Sequence, residues 1–200
     1  DIRSIRKCFE FKGQGKRISL SAKQLKLTAK SSIGIPSVAE EIQIRHLVSQ
    51  IELLEKQLSE IDKRIEEFSL KNNSPILTIP GISHFSGTSI ISELGDICNY
   101  TKASQIIKFA GVAPYHYESS QFTAQHTAIT KKGSKYLRKT LYQIILPVIS
   151  NNEVFYAYYT KKLNEGKGHR CAQGHCIRKL LRVIYHLLST RQPFNSKLLV

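Results

Sequence analysis

A heptad repeat in the first half of the chain limits its fold more than any other feature. Apolar residues recur at alternating spacings of three and four, with Glu, Lys, Arg and Gln between them: Ile44, Leu47, Ile51, Leu54, Leu58, Ile61, Ile65 and Phe68. A helix over residues 37–69 would be roughly 50 Å long at 1.5 Å per residue, which is too long for an ordinary core helix. We therefore predict a coiled coil over residues 37–70 that makes the protein a homo-oligomer. The alternative is a long helix packed back on its own domain.

Basic charge is concentrated at the two ends of the chain. The 200 residues include 30 Lys and Arg against 15 Asp and Glu, a net charge of +15. Residues 1–30 carry nine basic and two acidic groups, and residues 97–200 carry sixteen and three, whereas the segment between them carries five and ten. This distribution favours a polyanionic partner, and we predict DNA. We interpret residues 1–36 as a basic connector; a solvated linker is the alternative.

Targeting and redox signals indicate a cytoplasmic protein. The sequence has no signal peptide and no run of about twenty apolar residues, so we expect no membrane partner. Four cysteines in 200 residues form no disulfide framework, so reduced thiols are expected. The sequence begins at Asp1 and contains no Met. We expect it to be a fragment whose N-terminal part is missing.

The segment Leu77–Ser83 predicts a tight turn between two short helices. It reads Leu-Thr-Ile-Pro-Gly-Ile-Ser, an apolar run broken by Pro-Gly. A helix-hairpin-helix motif has this sequence form, and its turn presents backbone N–H groups that suit a DNA phosphate. We therefore predict that Gly81 and Ser83 contact DNA. A simple corner in a helical domain is the alternative.

The remaining periodic segments predict a mainly α fold, in which a compact helical domain follows the long coiled-coil helix. Gly95 ends a helix that carries Ile90, Ile91 and Leu94 on one face. Further helices are predicted over 101–110 with a Thr101 cap, from Ser134 to a kink or end at Pro147, over 155–163, and over 171–188. Residues 114–130 show no sustained period and predict a functional loop with a short hairpin.

Five cations within nine residues, at the start of the predicted Ser134 helix, favour phosphate binding. They are Lys131, Lys132, Lys135, Arg138 and Lys139. A solvated basic face is the alternative. His169, Cys171, His175 and Cys176 also cluster in sequence, but their spacing does not match that of zinc sites, so we predict no metal there.

Five motifs follow one another in a specific order: IPGI, ELGDI, KFAGVAP, ESSQF and ITKKGSKYLRK. Together they resemble the C-terminal domain of the DEDD-serine insertion-sequence transposases, also called bridge-RNA-guided recombinases. The resemblance continues through Ala157–Tyr159, Gly166-Lys167 and Arg178–Leu181, and so covers more than half of the chain. It implies that residues 74–192 form a helical serine transposase domain.

The resemblance also implies a catalytic residue. The nucleophile of this family is the serine of a Ser-Gly pair, five residues after the proline of a Gly-x-x-Pro stretch, and counting from Pro114 gives Ser119. This sequence has Ser120 where the family has Gly, so Ser120 is a rival nucleophile. It also has Ser83 where the turn of a helix-hairpin-helix motif has its second glycine. Without the resemblance, Ser119 would be an ordinary loop serine.

Further expectations follow from the resemblance alone. Family members join an acidic domain of RNase H fold, in which Mg²⁺ is expected, through a coiled coil to the serine domain, and they use a structured guide RNA. The acids before the coiled coil lack the context of that metal motif, so we expect no cofactor in this chain and no activity from it alone. Two other classes stay open: a non-catalytic helix-hairpin-helix module that binds DNA or junctions, and a coiled-coil assembly element.

Overall fold

The computed structural model describes residues 21–34, 37–115 and 128–199, together with the backbone of 118–119 and 122–123. Seven α-helices lie in this part of the chain: α1 (Ala22–Lys30), α2 (Val38–Asn72), α3 (His84–Leu94), α4 (Ala103–Phe109), α5 (Lys135–Ser150), α6 (Glu153–Asn164) and α7 (His169–Thr190). Short 3-10 helices cover Pro75–Thr78, Ile97–Asn99 and Ser196–Leu199. Strands β1 (Glu118–Ser119) and β2 (Phe122–Thr123) pair antiparallel, with Ser119 opposite Phe122. The predicted mainly α fold is confirmed.

The chain separates into two compact units, residues 1–54 and residues 55–200. The first unit contains α1 and the beginning of α2. α2 itself is one continuous helix of 35 residues, as the heptad repeat predicts. The apolar seam of α2 is largely exposed to solvent within the single chain. Leu54 and Leu58, for example, have 56% and 58% of their surface exposed. Association through this seam stays a prediction.

Helix ends lie where capping and turn residues predict them. α2 ends at Asn72, and Asn73 has a φ of 38°, so the Asn-Asn-Ser-Pro sequence stops the helix as expected. Gly95 follows α3 with a φ of 65°, which Gly adopts without strain. Ser134 caps α5 through a hydrogen bond from Leu137 N.

The predicted Thr101 cap is wrong, and the helix that contains Pro147 does not end there. α4 begins at Ala103 with Lys102 at the cap position. The Thr101 hydroxyl donates to Gln105 Oε1 at 3.3 Å, whereas a capping hydroxyl accepts from a backbone N–H of the first turn. α5 continues past Pro147 to Ser150. Proline removes the N–H of only its own residue, and the Pro147 carbonyl still accepts from Asn151 N at 3.0 Å, so the last turn closes.

The core of the second unit is built around α7, which packs against α4, α5 and α6 and against Pro75–Thr78. Its largest fully buried side chains come from α3 to α7 and from the segment around the first 3-10 helix: Phe155, Ile76, Ile79, Ile90, Ile106, Leu137, Leu141, Ile145, Ile177, Leu180, Leu181 and Ile184. Each such side chain contributes about 1.5–3 kcal/mol by leaving water. No helix among the described residues is long and apolar enough to cross a membrane.

Candidate nucleic-acid interface

The turn before α5 is packed tightly against the end of α4. Gly133 has a φ of 133°, and a Cβ built on it would lie 2.1 Å from the Phe109 carbonyl oxygen. Ser134 N donates to the same oxygen at 2.7 Å, and Lys131 N donates to the Gly111 oxygen at 3.0 Å. The backbone of residues 131–134 therefore has a fixed position from which its lysines project.

Ser134 joins α3 to the start of α5. Its hydroxyl accepts from Leu137 N at 3.0 Å and donates to Glu93 Oε2 at 2.6 Å. Glu93 belongs to the ELGDI motif, and Ser134 belongs to the ITKKGSKYLRK motif. Two motifs that are distant in sequence thus meet at the first turn of α5.

Arg138 is held by backbone carbonyls. Its Nη1 donates to the oxygens of Ala110, Lys131 and Ser134 at 3.2, 3.3 and 3.5 Å. The side chain is half-buried. Arg138 therefore fastens the turn to the end of α4, in addition to any contact that its remaining N–H groups make with a ligand.

A cavity of about 740 Å³, here called the basic cleft, lies between α5, α7 and Ile129. Its cationic lining comes from Lys131, Lys135, Arg138, Lys139 and Arg170. Ile129, Tyr142, Leu146, His169 and Gln173 complete the described lining, and none of the described lining residues is a carboxylate. A concave surface with this charge attracts phosphate groups. The structure thus brings together four of the five predicted cations, and Lys132 is not in the lining.

A neighbouring cavity of about 710 Å³, the glycine-turn cavity, extends the positive surface. It shares Ile129, Tyr142 and Arg170 with the basic cleft and adds Lys167, His175 and Arg178. Burial lowers the pKa of His175, and the charges of Arg178, Lys162 and Lys167 lower it further. Burial and these neighbouring charges together disfavour the protonated imidazole of His175.

Sequence reasoning did not assign Arg170, Lys167 and Arg178 to a site. The sequence signal that could have found them is the basic residue within the Gly166–Gly168 turn together with the basic residues in the first half of α7. Their approach to the α5 cations depends on helix packing that local sequence does not reveal.

The segment that carries Ser119 is anchored at the edge of these cavities. Tyr115 N donates to the Ala128 oxygen at 2.8 Å, and Thr130 N donates to the Ala113 oxygen at 2.9 Å. Pro114 pairs with Ile129 in an isolated β-bridge, and both line the glycine-turn cavity. The Ser119 backbone lies in β1. The side chain of Ser119 and the whole of Ser120 lie outside the described residues.

The Pro80-Gly81 turn is packed into the domain. Gly81 has a φ of 95°, and a Cβ there would lie 2.6 Å from the Pro147 carbonyl carbon of α5. Ser83 caps α3, and its N–H donates to Ser86 Oγ at 3.0 Å. A 3-10 helix, Pro75–Thr78, precedes the turn and α3 follows it. DNA contact by Gly81 and Ser83 stays a prediction, as does the helix-hairpin-helix motif.

His169 of α7 bonds to neighbouring side chains, and Cys176 of the same helix is buried. His169 is hydrogen-bonded to the Tyr159 hydroxyl and, at 2.9 Å, to Gln173 Nε2. Cys176 is fully buried, and burial raises the pKa of its thiol to about 11. Among the described residues, no three His, Cys, Asp or Glu side chains are grouped so as to hold a metal ion. His84 is bonded to Ser69 at 3.0 Å, whereas His116 and His126 lie outside the described residues.

Comparison with known proteins places these features in context. Residues 73–160 match the model of a family described as "Transposase IS116/IS110/IS902 family". The matched range includes Glu93, Ser119 and the cations from Lys131 to Lys139. The chain therefore carries a domain similar to those of insertion-element transposases.

Individual relatives agree with that family. The chain is 25% identical over 168 residues to the pilin gene-inverting protein of Moraxella lacunata, which covers 84% of this chain and 52% of the relative. It is 24% identical to the mini-circle putative transposase for IS117 of Streptomyces coelicolor, over 82% of this chain and 40% of the relative. An uncharacterized 44.8 kDa protein of insertion element IS116 from Streptomyces clavuligerus is 24% identical, over 74% of this chain and 38% of the relative. The chain thus spans about half the length of these relatives, or less.

Proposed function

We propose that this chain is the part of a transposase or site-specific recombinase that binds DNA and supplies the serine for strand exchange. The pilin gene-inverting protein and the insertion-element relatives support the general activity. The basic cleft supports the location, because DNA presents a row of phosphates that match its cations. The serine chemistry rests on the motif resemblance.

The observation that carries the proposal is the anchoring of the Ser119 segment beside the basic cleft. Both ends of residues 115–128 are hydrogen-bonded where Ala128 and Ile129 meet the cavity linings. A nucleophile on this segment would attack a phosphate that the cleft cations already hold. Positive charge within reach of a phosphate also stabilises the negative charge that develops on its oxygens.

The proposed step is a transesterification. Ser119 Oγ forms a bond to phosphorus as the hydroxyl proton passes to a base. The bond between phosphorus and one sugar oxygen breaks, and that oxygen leaves with the electron pair and takes up a proton. The number of phosphate esters is unchanged, so a sugar hydroxyl of another strand can reverse the step and complete the exchange without an external energy source.

The test is a covalent adduct between the protein and DNA. It uses the chain joined to the acidic domain that the resemblance implies, with Mg²⁺ present, and the linked peptide is mapped by mass spectrometry. We expect Ser119→Ala to abolish the adduct and strand exchange while DNA affinity stays within about twofold, because one hydroxyl contributes little to phosphate binding. Ser120→Gly, which restores the family pair, should retain activity.

Two outcomes would contradict the serine assignment. An adduct on Ser120 would show that the neighbouring residue is the nucleophile, and full activity of Ser119→Ala would remove Ser119 from the chemistry. If DNA binds and no adduct forms with any variant, the non-catalytic DNA- or junction-binding module becomes the better description.

A further inference from the structure

A third cavity, here called the tail cavity, lies on the C-terminal half of α7. It encloses about 480 Å³ and is lined by α6, α7 and the segment after α7, including Tyr158, Lys179, Arg182, His186 and Phe194. Val183 and Leu187 add buried apolar surface. Arg170 of the basic cleft and Arg182 are about 18 Å apart along α7 at 1.5 Å per residue. The two cavities are therefore separate sites on one helix, and this volume is in the usual range for small-ligand sites.

The chain after α7 is fixed in a position that closes the tail cavity. Arg191 has a left-handed φ of 58° and ends α7. Phe194 N then donates to Thr78 Oγ1 at 2.7 Å, and the Phe194 ring packs partly against the core. Phe194, which lines the cavity, is thus held through its backbone to a distant part of the domain.

Two cations of the tail cavity, Lys179 and Arg182, have no carboxylate partner among the described residues. Lys179 Nζ lies 4.9 Å from the Tyr158 ring centroid and 5.8 Å from that of Phe155, and burial lowers the pKa of Lys179. The described residues that line the cavity include no carboxylate. Within the described part of the chain, neither Lys179 nor Arg182 takes part in an ion pair with Asp or Glu. A partly desolvated ammonium group without a carboxylate partner favours a bound anion.

We propose that the tail cavity binds one unpaired nucleotide of a DNA strand, with its base against Phe194 and its phosphate at Lys179 and Arg182. An aromatic face beside two cations matches a planar base joined to a phosphate. A paired base is stacked inside the duplex and cannot enter a cavity, whereas an unpaired base enters at little cost. The inference rests on the proposed DNA binding, since it assigns this nucleotide to a strand whose duplex part lies at the basic cleft.

The test compares three fluorescent DNAs by anisotropy: a blunt duplex, the same duplex with a short single-stranded tail, and that tail with its bases removed. We expect the tailed duplex to bind about fivefold or more tighter than the other two, because stacking of one base supplies at least that factor. Phe194→Leu should abolish the preference, since leucine retains apolar volume without a flat ring. Phe194→Tyr should keep it, and Arg182→Gln should weaken tailed binding.

Matched controls lie outside the tail cavity on the same elements. Tyr156→Leu removes an exposed ring from α6, and Lys197→Gln removes an exposed cation from the tail. Both variants should keep the full preference for the tailed duplex. Urea unfolding of each variant shows whether the domain is still folded. Phe194→Tyr keeps an aromatic ring at this position, so a preference that is kept in Phe194→Tyr and lost in a folded Phe194→Leu is due to the ring.

The inference is overturned if tailed and blunt duplexes bind equally, or if the tail without bases binds as well as the intact tail. If inorganic phosphate competes with the tailed duplex as well as deoxyadenosine monophosphate does, the site binds phosphate without recognising a base. A much stronger preference for an RNA tail would overturn the assignment to DNA. Blunt-duplex binding that depends on the basic cleft, without any tail preference, would leave the proposed function standing and reject only this inference.

Discussion

Gly133 controls the position of the cationic turn more directly than any charged residue. Its backbone adopts a φ of 133° in contact with the Phe109 oxygen, so a side chain there meets both backbone strain and a direct clash. Gly166 has a φ of 76°, but a Cβ there would meet nothing within 4 Å. Substitution at Gly166 therefore tests backbone strain alone, whereas substitution at Gly133 tests strain together with a clash against the Phe109 oxygen.

We predict that Gly133→Ala lowers the free energy of unfolding by about 2–4 kcal/mol, and Gly166→Ala by about 1 kcal/mol. Both variants replace a glycine of positive φ, but only alanine at 133 must displace the end of α4. Urea unfolding measures both values. Equal losses would mean that the turn moves freely away from Phe109, which would contradict the tight packing described above.

The contacts of Arg138 show where sequence reasoning stops at this scale. Five cations in nine residues are visible in the sequence, and four of them line one cavity, whereas Lys132 does not. Phosphate binding by this group stays a prediction. The sequence does not show that the Arg138 guanidinium bonds to the Ala110 oxygen, 28 positions away. That contact depends on how α4 and α5 pack, which is decided by the whole core.

Periodicity and capping residues predict single elements well. The heptad spacing predicts α2 within three residues of its end, and Ser134 and Gly95 mark helix ends correctly. At Thr101 the hydroxyl donates to Gln105 Oε1 and does not cap the helix. At Pro147 the helix does not end, because the Pro147 oxygen still accepts from Asn151 N. Cavities between helices require tertiary distances, so the glycine-turn cavity and the tail cavity were not predicted.

The exposed seam of α2 leads to a prediction about assembly. Leu54 lies on the seam and Leu53 does not, yet both keep 56% of their surface in the single chain. We predict that Leu54→Glu together with Leu58→Glu converts an oligomer into a monomer, because charges in a coiled-coil seam must be buried on association. Leu53→Glu should leave the oligomer intact. Analytical ultracentrifugation measures the mass in each case.

Circular dichroism should show that α3 to α7 remain folded in the seam variants, since their core does not use Leu54 or Leu58. An unchanged chain that sediments as a monomer at high concentration would reject association through the seam. Equal effects of Leu53→Glu and Leu54→Glu would show that general exposure of apolar surface, rather than the heptad register, drives assembly.

At the scale of the whole molecule, α7 connects the proposed binding surfaces. Arg170 at its start lines both the basic cleft and the glycine-turn cavity, and Arg182 on its last half lines the tail cavity. The middle of the helix is buried in the core, with Ile177, Leu180 and Leu181 at 0% exposure. Cations on a rigid, buried helix keep fixed spacings, so a strand that binds one of these surfaces meets the others in a defined geometry.

The net charge of +15 leads to a prediction about salt. Each phosphate that a protein cation neutralises releases counterions, so the logarithm of affinity falls with the logarithm of salt concentration with a slope of about −0.9 per contact. The basic cleft offers five cations, which gives a slope of about −4 to −5 for duplex DNA. Affinity should then fall by about 10²- to 10³-fold between about 50 and 200 mM salt, with little dependence on sequence.

Single substitutions test whether the salt dependence of DNA affinity comes from the basic cleft. We predict that Lys135→Gln and Lys139→Gln each make the slope shallower by about 1 and leave unfolding unchanged, because both side chains are exposed. Lys63→Gln on α2 is the matched control, an exposed lysine in the acidic segment, and should change neither quantity. Arg138→Gln should alter the slope and also lower stability by about 1–3 kcal/mol, since three carbonyls lose their donor. A salt-independent affinity, or equal slopes for Lys139→Gln and Lys63→Gln, would place DNA binding outside the basic cleft.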